Sequence, residues 1–146
     1  MENVTNMIRV ESNSYLDVSP EGDFFRLYVE FLKPLHKLTN REMDVLAAFL
    51  KKRHELSKVI TREDVLDEML MSMEVKKQIW EACGLKSKHF QMVMIKLRKN
   101  GVIKNNRIRL NLIPTVTKSG VGLMIFFDFN KKNHVKLDYR PSSQKA

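Results

Sequence analysis

Apolar residues recur along this chain with two different periods, and the change from one to the other divides it. In "LHKLTNREMDVLAAFLKKRHEL", Met43, Leu46, Ala47 and Leu50 fall at helical spacing, which predicts a helix over about 40–56. Thr39 and Glu42 form a T-x-x-E capping box in front of it, and Leu38 is placed to staple onto Met43. Upstream, "SPEGDFFRLYVEFLKPLHK" offers Ser19 as an N-cap and Pro20 as a first helical residue. Phe24, Leu27, Tyr28, Phe31, Leu32 and Leu35 then share one helical stripe, the pattern of a core or dimerisation helix. The same letters also alternate, through Phe25, Leu27, Val29 and Phe31, as a strand would. Pro34 ends or kinks either element.

Helical periodicity continues through three more segments. "TRED" at 61–64 is a start signal, followed by Val65, Leu66, Met69 and Leu70 in a short helix. "MEVKKQIWEACGL" carries a Val75, Ile79, Cys83 stripe with Trp80 beside it and stops at Gly84, a suitable glycine for a left-handed helix end. Cys83 on that stripe is read as a small buried hydrophobe rather than a nucleophile. The chain then restarts almost at once. Ser87 is a candidate N-cap, and Phe90, Val93, Met94 and Leu97 give an inward face to a helix that stops at Asn100-Gly101. Helix, short turn containing Gly, helix is the order of a helix-turn-helix.

After Gly101 the period drops to two. "VIKNNRIRLNLIP" places Asn105-Asn106 between two β-rich runs, and Asn-Asn suits a type I′ hairpin turn because Asn tolerates positive φ. That register sets Ile103 opposite Ile108, with Leu110 and Leu112 on their face, and Lys104 opposite Arg107 with Arg109 beside them. Like charges facing each other across a hairpin are unfavourable, and a phosphate backbone lying against the tip would offset them. A third run, "GVGLMIFFDF" at 120–129, alternates Val121, Leu123, Ile125, Phe127 and Phe129 with Met124 and Phe126, as a strand covered on both sides would. The expected fold class is mainly α with a small antiparallel β-sheet (α+β).

Charge adds a second division. Net charge is +9 over 146 residues, but residues 1–81 hold 12 Lys/Arg against 15 Asp/Glu, whereas residues 82–127 hold 9 against none. A charge run usually only solvates a face; an acid-free stretch of this length points to a polyanion-facing surface.

The chain resembles the winged helix-turn-helix family, common among bacterial and phage DNA-binding proteins, over about residues 38–113. "LTNREMDVL" matches its opening helix, "IWEACGLKSKHFQMVMIKLRKNGVI" its helix-turn-helix, and "KNNRIRL" its wing. The resemblance implies a winged helix-turn-helix with an added N-terminal helix and an extra C-terminal strand. The domains expected are an N-terminal extension at 1–37 packing on the core or a partner, the winged-helix domain at 38–130, and a basic polar tail at 131–146. By position, the resemblance places Lys86, Lys88, Gln91, Lys96, Arg98 and Lys99 on the recognition helix, and Lys104, Asn105, Asn106, Arg107 and Arg109 on the wing, against duplex DNA.

Two features depart from that pattern. The face opposite Phe90 and Leu97 is lined by Lys88, Met92, Ile95 and Lys99, so its centre is apolar where base-reading polar groups would be expected. Met92 and Ile95 are assigned to a protein interface, with contact to thymine methyls as the alternative. The segment 57–72 is inserted between the opening helix and the motif, and no role for it is legible.

Other functions lack their parts. The chain has no phosphate loop, no G-x-S-x-G and no paired carboxylates in its basic half; Asp67-Glu68 is expected to face solvent. No enzyme activity, cofactor, metal or small-molecule ligand is expected. One cysteine among 146 residues excludes an internal disulfide, and no apolar run is long enough to span a membrane. "MENVTNMIRVESN" shows no secretory leader, so a cytoplasmic location, in a host cell or virion if of phage origin, is expected. The sequence therefore supports a DNA-binding regulator or replication accessory, phage or bacterial. The alternative is a phage virion or assembly protein using the same fold to bind protein, as a homo-oligomer or in a larger assembly; the nine methionines suit that use.

Overall fold

The computed structural model describes residues 18–121 and Phe129. By contacts the chain divides into two compact units, Met1–Pro114 and Thr115–Ala146. All regular elements among the described residues lie in the first: α1 (Phe24–His36), α2 (Asn40–Ser57), α3 (Glu63–Leu70), α4 (Met73–Ala82), α5 (Ser87–Lys99), β1 (Ile103–Lys104), β2 (Arg107–Ile108) and a 3-10 turn at Leu110–Leu112. The fold is mainly helical with a two-stranded antiparallel sheet, the α+β class that the periodicities predict.

Helix α2 is the hub, packing on α1, α3, α4 and α5. Met43, Val45, Leu46, Phe49 and Leu50 are all buried, so its first half is enclosed on nearly every side. The capping box forms as the sequence specifies. Thr39 Oγ1 accepts from the Glu42 N–H at 3.3 Å, and Glu42 Oε1 accepts from the Thr39 N–H at 3.2 Å. Glu42 is itself buried, and the same Oε1 accepts from Asn100 Nδ2 at 3.1 Å. Asn100 caps the C-terminus of α5, and its carbonyl lies 3.3 Å from His36 Nδ1 at the end of α1. One carboxylate thus ties the start of α2 to the end of α5.

Helix α1 departs from its predicted phase. It begins at Phe24 with Asp23 as N-cap, after a turn in which the Gly22 and Phe24 N–H groups donate to Ser19 O, so Ser19 and Pro20 precede the helix by a turn. Its buried face is Phe25, Tyr28, Val29 and Leu32, while Phe31 is 48% and Leu35 73% exposed. Two apolar stripes of equal period overlap in this segment; the ion pairs of Arg26 with Asp44 (2.9 Å) and Glu30 (2.5 Å) sit on the rotation that buries Phe25 and Val29. Pro34 lies in the last turn, and the helix runs past it to His36. The Tyr28 hydroxyl donates to Leu112 O at 2.8 Å in a buried contact, fastening α1 to the chain beyond the hairpin.

Smaller corrections concern helix starts. The start signal at 61–64 opens α3 with Arg62 as its N-cap; its guanidinium pairs with Asp64 at 2.7 Å. Lys86, not Ser87, is the N-cap of α5, and neither α3 nor α5 has a side-chain cap. Helix α4 is capped by Ser72, whose Oγ accepts from the Val75 N–H at 3.3 Å. In the second unit, Thr117 and Gly120 close a turn by reciprocal backbone bonds of 3.2 and 3.1 Å. The strand predicted over 120–129 falls largely on 122–128, outside the described residues, and Phe129 is exposed rather than covered.

Two substitutions test this framework. Asn100→Ala leaves the buried Glu42 carboxylate one donor short and should destabilise the protein by about 1–3 kcal/mol in urea unfolding. Tyr28→Phe should cost about 1 kcal/mol near neutral pH. Burial pushes the Tyr28 hydroxyl above its ordinary range, so the folded state holds that proton more tightly than the unfolded chain. Tyr28 therefore contributes its full stability below the ordinary tyrosine range and loses it as pH rises from there through the raised folded value. Alkaline unfolding curves should show this loss in the wild type and less of it in Tyr28→Phe.

Candidate nucleic-acid interface

The orientation of α5 is set by one aromatic anchor. Phe90 is fully buried, with ring centroids 6.2 Å from Phe49 of α2 and 5.3 Å from Trp80 of α4. Met94 and Leu97 are buried on the same face, and Val93 is half-buried at its edge. At about 100° per residue, this phase turns Lys88, Met92, Ile95 and Lys99 outward, with Gln91 and Arg98 on one flank and Lys96 on the other. All seven are exposed, as is Lys86 at the N-cap; Met92 is 59% and Ile95 51% exposed. Lys96, Arg98 and Lys99 occupy the last turn, where cations also complement the partial negative charge of a helix C-terminus.

The turn between α4 and α5 has Gly84 at φ 68°, and α5 ends at Gly101 with φ 77°. Each glycine lets the chain reverse in a conformation that costs an L-residue about 1–2 kcal/mol. Cys83, at the C-cap of α4, is half-buried and donates its thiol to Asp44 O at 3.7 Å. Burial pushes that thiol up, Asp44 adds to the shift, and Arg41 opposes it.

The hairpin has the register expected of it. Ile103 pairs with Ile108 and Lys104 with Arg107, and the Arg109 N–H donates to Val102 O at 3.1 Å. Asn105 (φ 55°) and Asn106 (φ 59°) both take the left-handed conformation of a type I′ turn. Ile103 and Ile108 are buried while Lys104, Asn105, Asn106 and Arg107 are exposed. Beyond Ile108 the alternation fails. Leu110–Leu112 turns into a 3-10 helix that buries Leu112 and leaves Leu110 61% exposed, so the two leucines do not share a face. Arg109 is half-buried and its Nη1 donates to Gly101 O at 3.4 Å, which ties it to the base of the wing.

Two contacts were not legible in the sequence. Asp67 of α3 is 8% exposed rather than solvent-facing, and lies between two arginines: Oδ1 is 3.5 Å from Arg53 Nε, and Oδ2 is 3.7 Å from Arg107 Nη1. Part of the like-charge strain between Lys104 and Arg107 is therefore balanced within the chain. Lys76 of α4 is the second. Burial lowers its pKa, and the nearby positive charge of Arg98 lowers it further. Sequence spacing carries no signal for either contact, because each joins elements through space.

Among the described residues no group of three or more His, Cys, Asp or Glu is placed to hold a metal ion, and no helix is long and apolar enough to cross a membrane. Compared with protein-family models, curated proteins and solved structures, the chain gives no match.

The turn residues should resist branched side chains. Asn105→Val and Asn106→Val are each expected to destabilise the protein by about 1–2 kcal/mol, because valine must take the left-handed conformation, whereas Asn106→Gly should be nearly neutral. Chemical denaturation of the three variants measures this.

Proposed function

We propose that this chain binds duplex DNA through α5 and the β1–β2 hairpin, as a winged helix-turn-helix protein would. The observation that carries the proposal is the folding of the acid-free stretch into one helix and the hairpin that follows it. Between residues 82 and 114 the chain holds Lys86, Lys88, Lys96, Arg98, Lys99, Lys104, Arg107 and Arg109, and all but Arg109 are exposed. A surface of this sign and density suits a polyanion, and the helix followed by a hairpin suits a groove and its flanking phosphates. In this reading the cations position the protein on the backbone, while Gln91 and the methyl-bearing Met92 and Ile95 meet base edges, with thymine methyls as apolar partners. A role in phage or bacterial transcription or replication belongs to the same proposal and rests on the family resemblance.

The exposure of Met92 and Ile95 at the centre of the outer face of α5 supports a second reading, in which that face binds protein in an assembly.

The two readings rank the same substitutions differently. With DNA as partner, log K should fall against log salt with a slope of about −5, and Arg107→Ala and Lys96→Ala should each reduce that slope by about 1. Met92→Ala should then alter sequence preference and leave the slope unchanged. With protein as partner, Met92→Asp/Ile95→Asp should dissociate an oligomer in sedimentation, and no duplex should bind at low salt. Fluorescence anisotropy at several salt concentrations, with sedimentation of the same variants, decides between them.

A further inference from the structure

We propose that Asp67 is an internal competitor for Arg107, holding the wing's arginine until a phosphate displaces it; this rests on the DNA-binding reading above. The geometry is unequal in a way that allows exchange. Arg53 and Asp67 have side chains only 12% and 10% exposed, whereas Arg107 is 54% exposed, at the edge of the pair. Removing one partner of a buried ion pair ordinarily strands a charge away from water, at a cost of several kcal/mol. Here Arg107 can leave at less than that cost, because Asp67 keeps the charge of Arg53 at 3.5 Å.

Arg53 is under-satisfied in its present position. Its Nε is buried and has no hydrogen-bond partner among the described residues; the 3.5 Å approach to Asp67 is a charge contact without hydrogen-bond geometry. Asp67 is therefore shared between two guanidiniums and fully satisfies neither. Departure of Arg107 leaves the carboxylate to Arg53 alone, which offsets part of what the wing loses. The inserted helix α3 thereby acquires a role: it packs on β2 and brings to the wing the one carboxylate that faces it among the described contacts. Asp67 lowers affinity for DNA without changing how many phosphates are contacted, because Arg107 reaches its phosphate in the complex either way.

The test compares duplex DNA binding by the wild type, Arg53→Met/Asp67→Asn, Arg107→Ala and the triple variant, by fluorescence anisotropy over a range of salt. The double substitution removes one charge of each sign, so net charge is unaltered, and replacing a buried ion pair by an apolar stem and a neutral amide avoids a stranded charge. The double variant should bind about two- to fivefold more tightly, the range of an exposed ion pair, with the wild-type salt slope, and the gain should vanish in the Arg107→Ala background. Unchanged or weaker binding, or a gain that survives Arg107→Ala, overturns the proposal. A second readout needs only the wild type. In side-chain 15N NMR, adding duplex should move the Arg107 guanidinium signal and leave that of Arg53 near its free position; an unmoved Arg107 signal overturns the proposal. Absence of any binding by the wild type at low salt defeats the DNA-binding reading and this inference together, whereas a binding wild type with an indifferent double variant defeats this inference alone.

Discussion

The arrangement of the candidate surface depends on the buried carboxylate of Glu42. Taking a carboxylate out of water is tolerable only when donors replace the lost hydration. Glu42 Oε1 obtains them from the Thr39 N–H and from Asn100 Nδ2. The first is a local cap that any helix could make. The second is a tertiary bond reaching 58 residues along the chain, to the point where α5 stops and the hairpin starts. Because Phe90 fixes the rotation of α5 and Glu42 fixes its end, the helix has little freedom either to roll or to slide. The backbone positions from which its cations project are set with it.

The outer surface of α5 combines two demands that are usually met separately. Its last-turn cations are favourable for the helix alone, so charge there does not by itself imply a ligand. Lys86 and Lys88 at the opposite end have no such explanation, since the start of a helix favours acids, and the first turn of α5 has none. The cations at the N-terminal end thus weigh more than those at the C-terminal end in favour of a polyanion. The apolar pair between the two ends belongs to neither charge argument, and it is the feature on which the two functional readings divide.

Much of the fold was legible because its signals are local. The capping box at Thr39 and Glu42, the left-handed Gly84 and Gly101, and the Asn105-Asn106 turn with its Ile103–Ile108 register are decided by residues within a few positions of each other. The phase of α1 was not, since Phe24/Leu27/Phe31/Leu35 and Phe25/Val29/Leu32 are equally periodic and only packing on α2 selects between them. Nor was the cap of α5, where Ser87 lies one residue past the cap position and makes no capping bond. The exposed cations of the candidate surface could be read from composition and spacing. The half-buried Arg109 and the buried Asp67 could not, because their partners, Gly101 O and the two arginines, are brought to them by the hairpin and by α3.

The clasp between Tyr28 and Leu112 has a kinetic meaning as well as a structural one. Most helix contacts in this unit join neighbours in sequence, α1 with α2, α3 with α4, α4 with α5, and such contacts close short loops that form quickly. Tyr28 and Leu112 are 84 residues apart, so their bond closes a long loop and rewards the chain only after the intervening helices are in place. It belongs to the late phase of folding, and its loss speeds unfolding more than it slows folding.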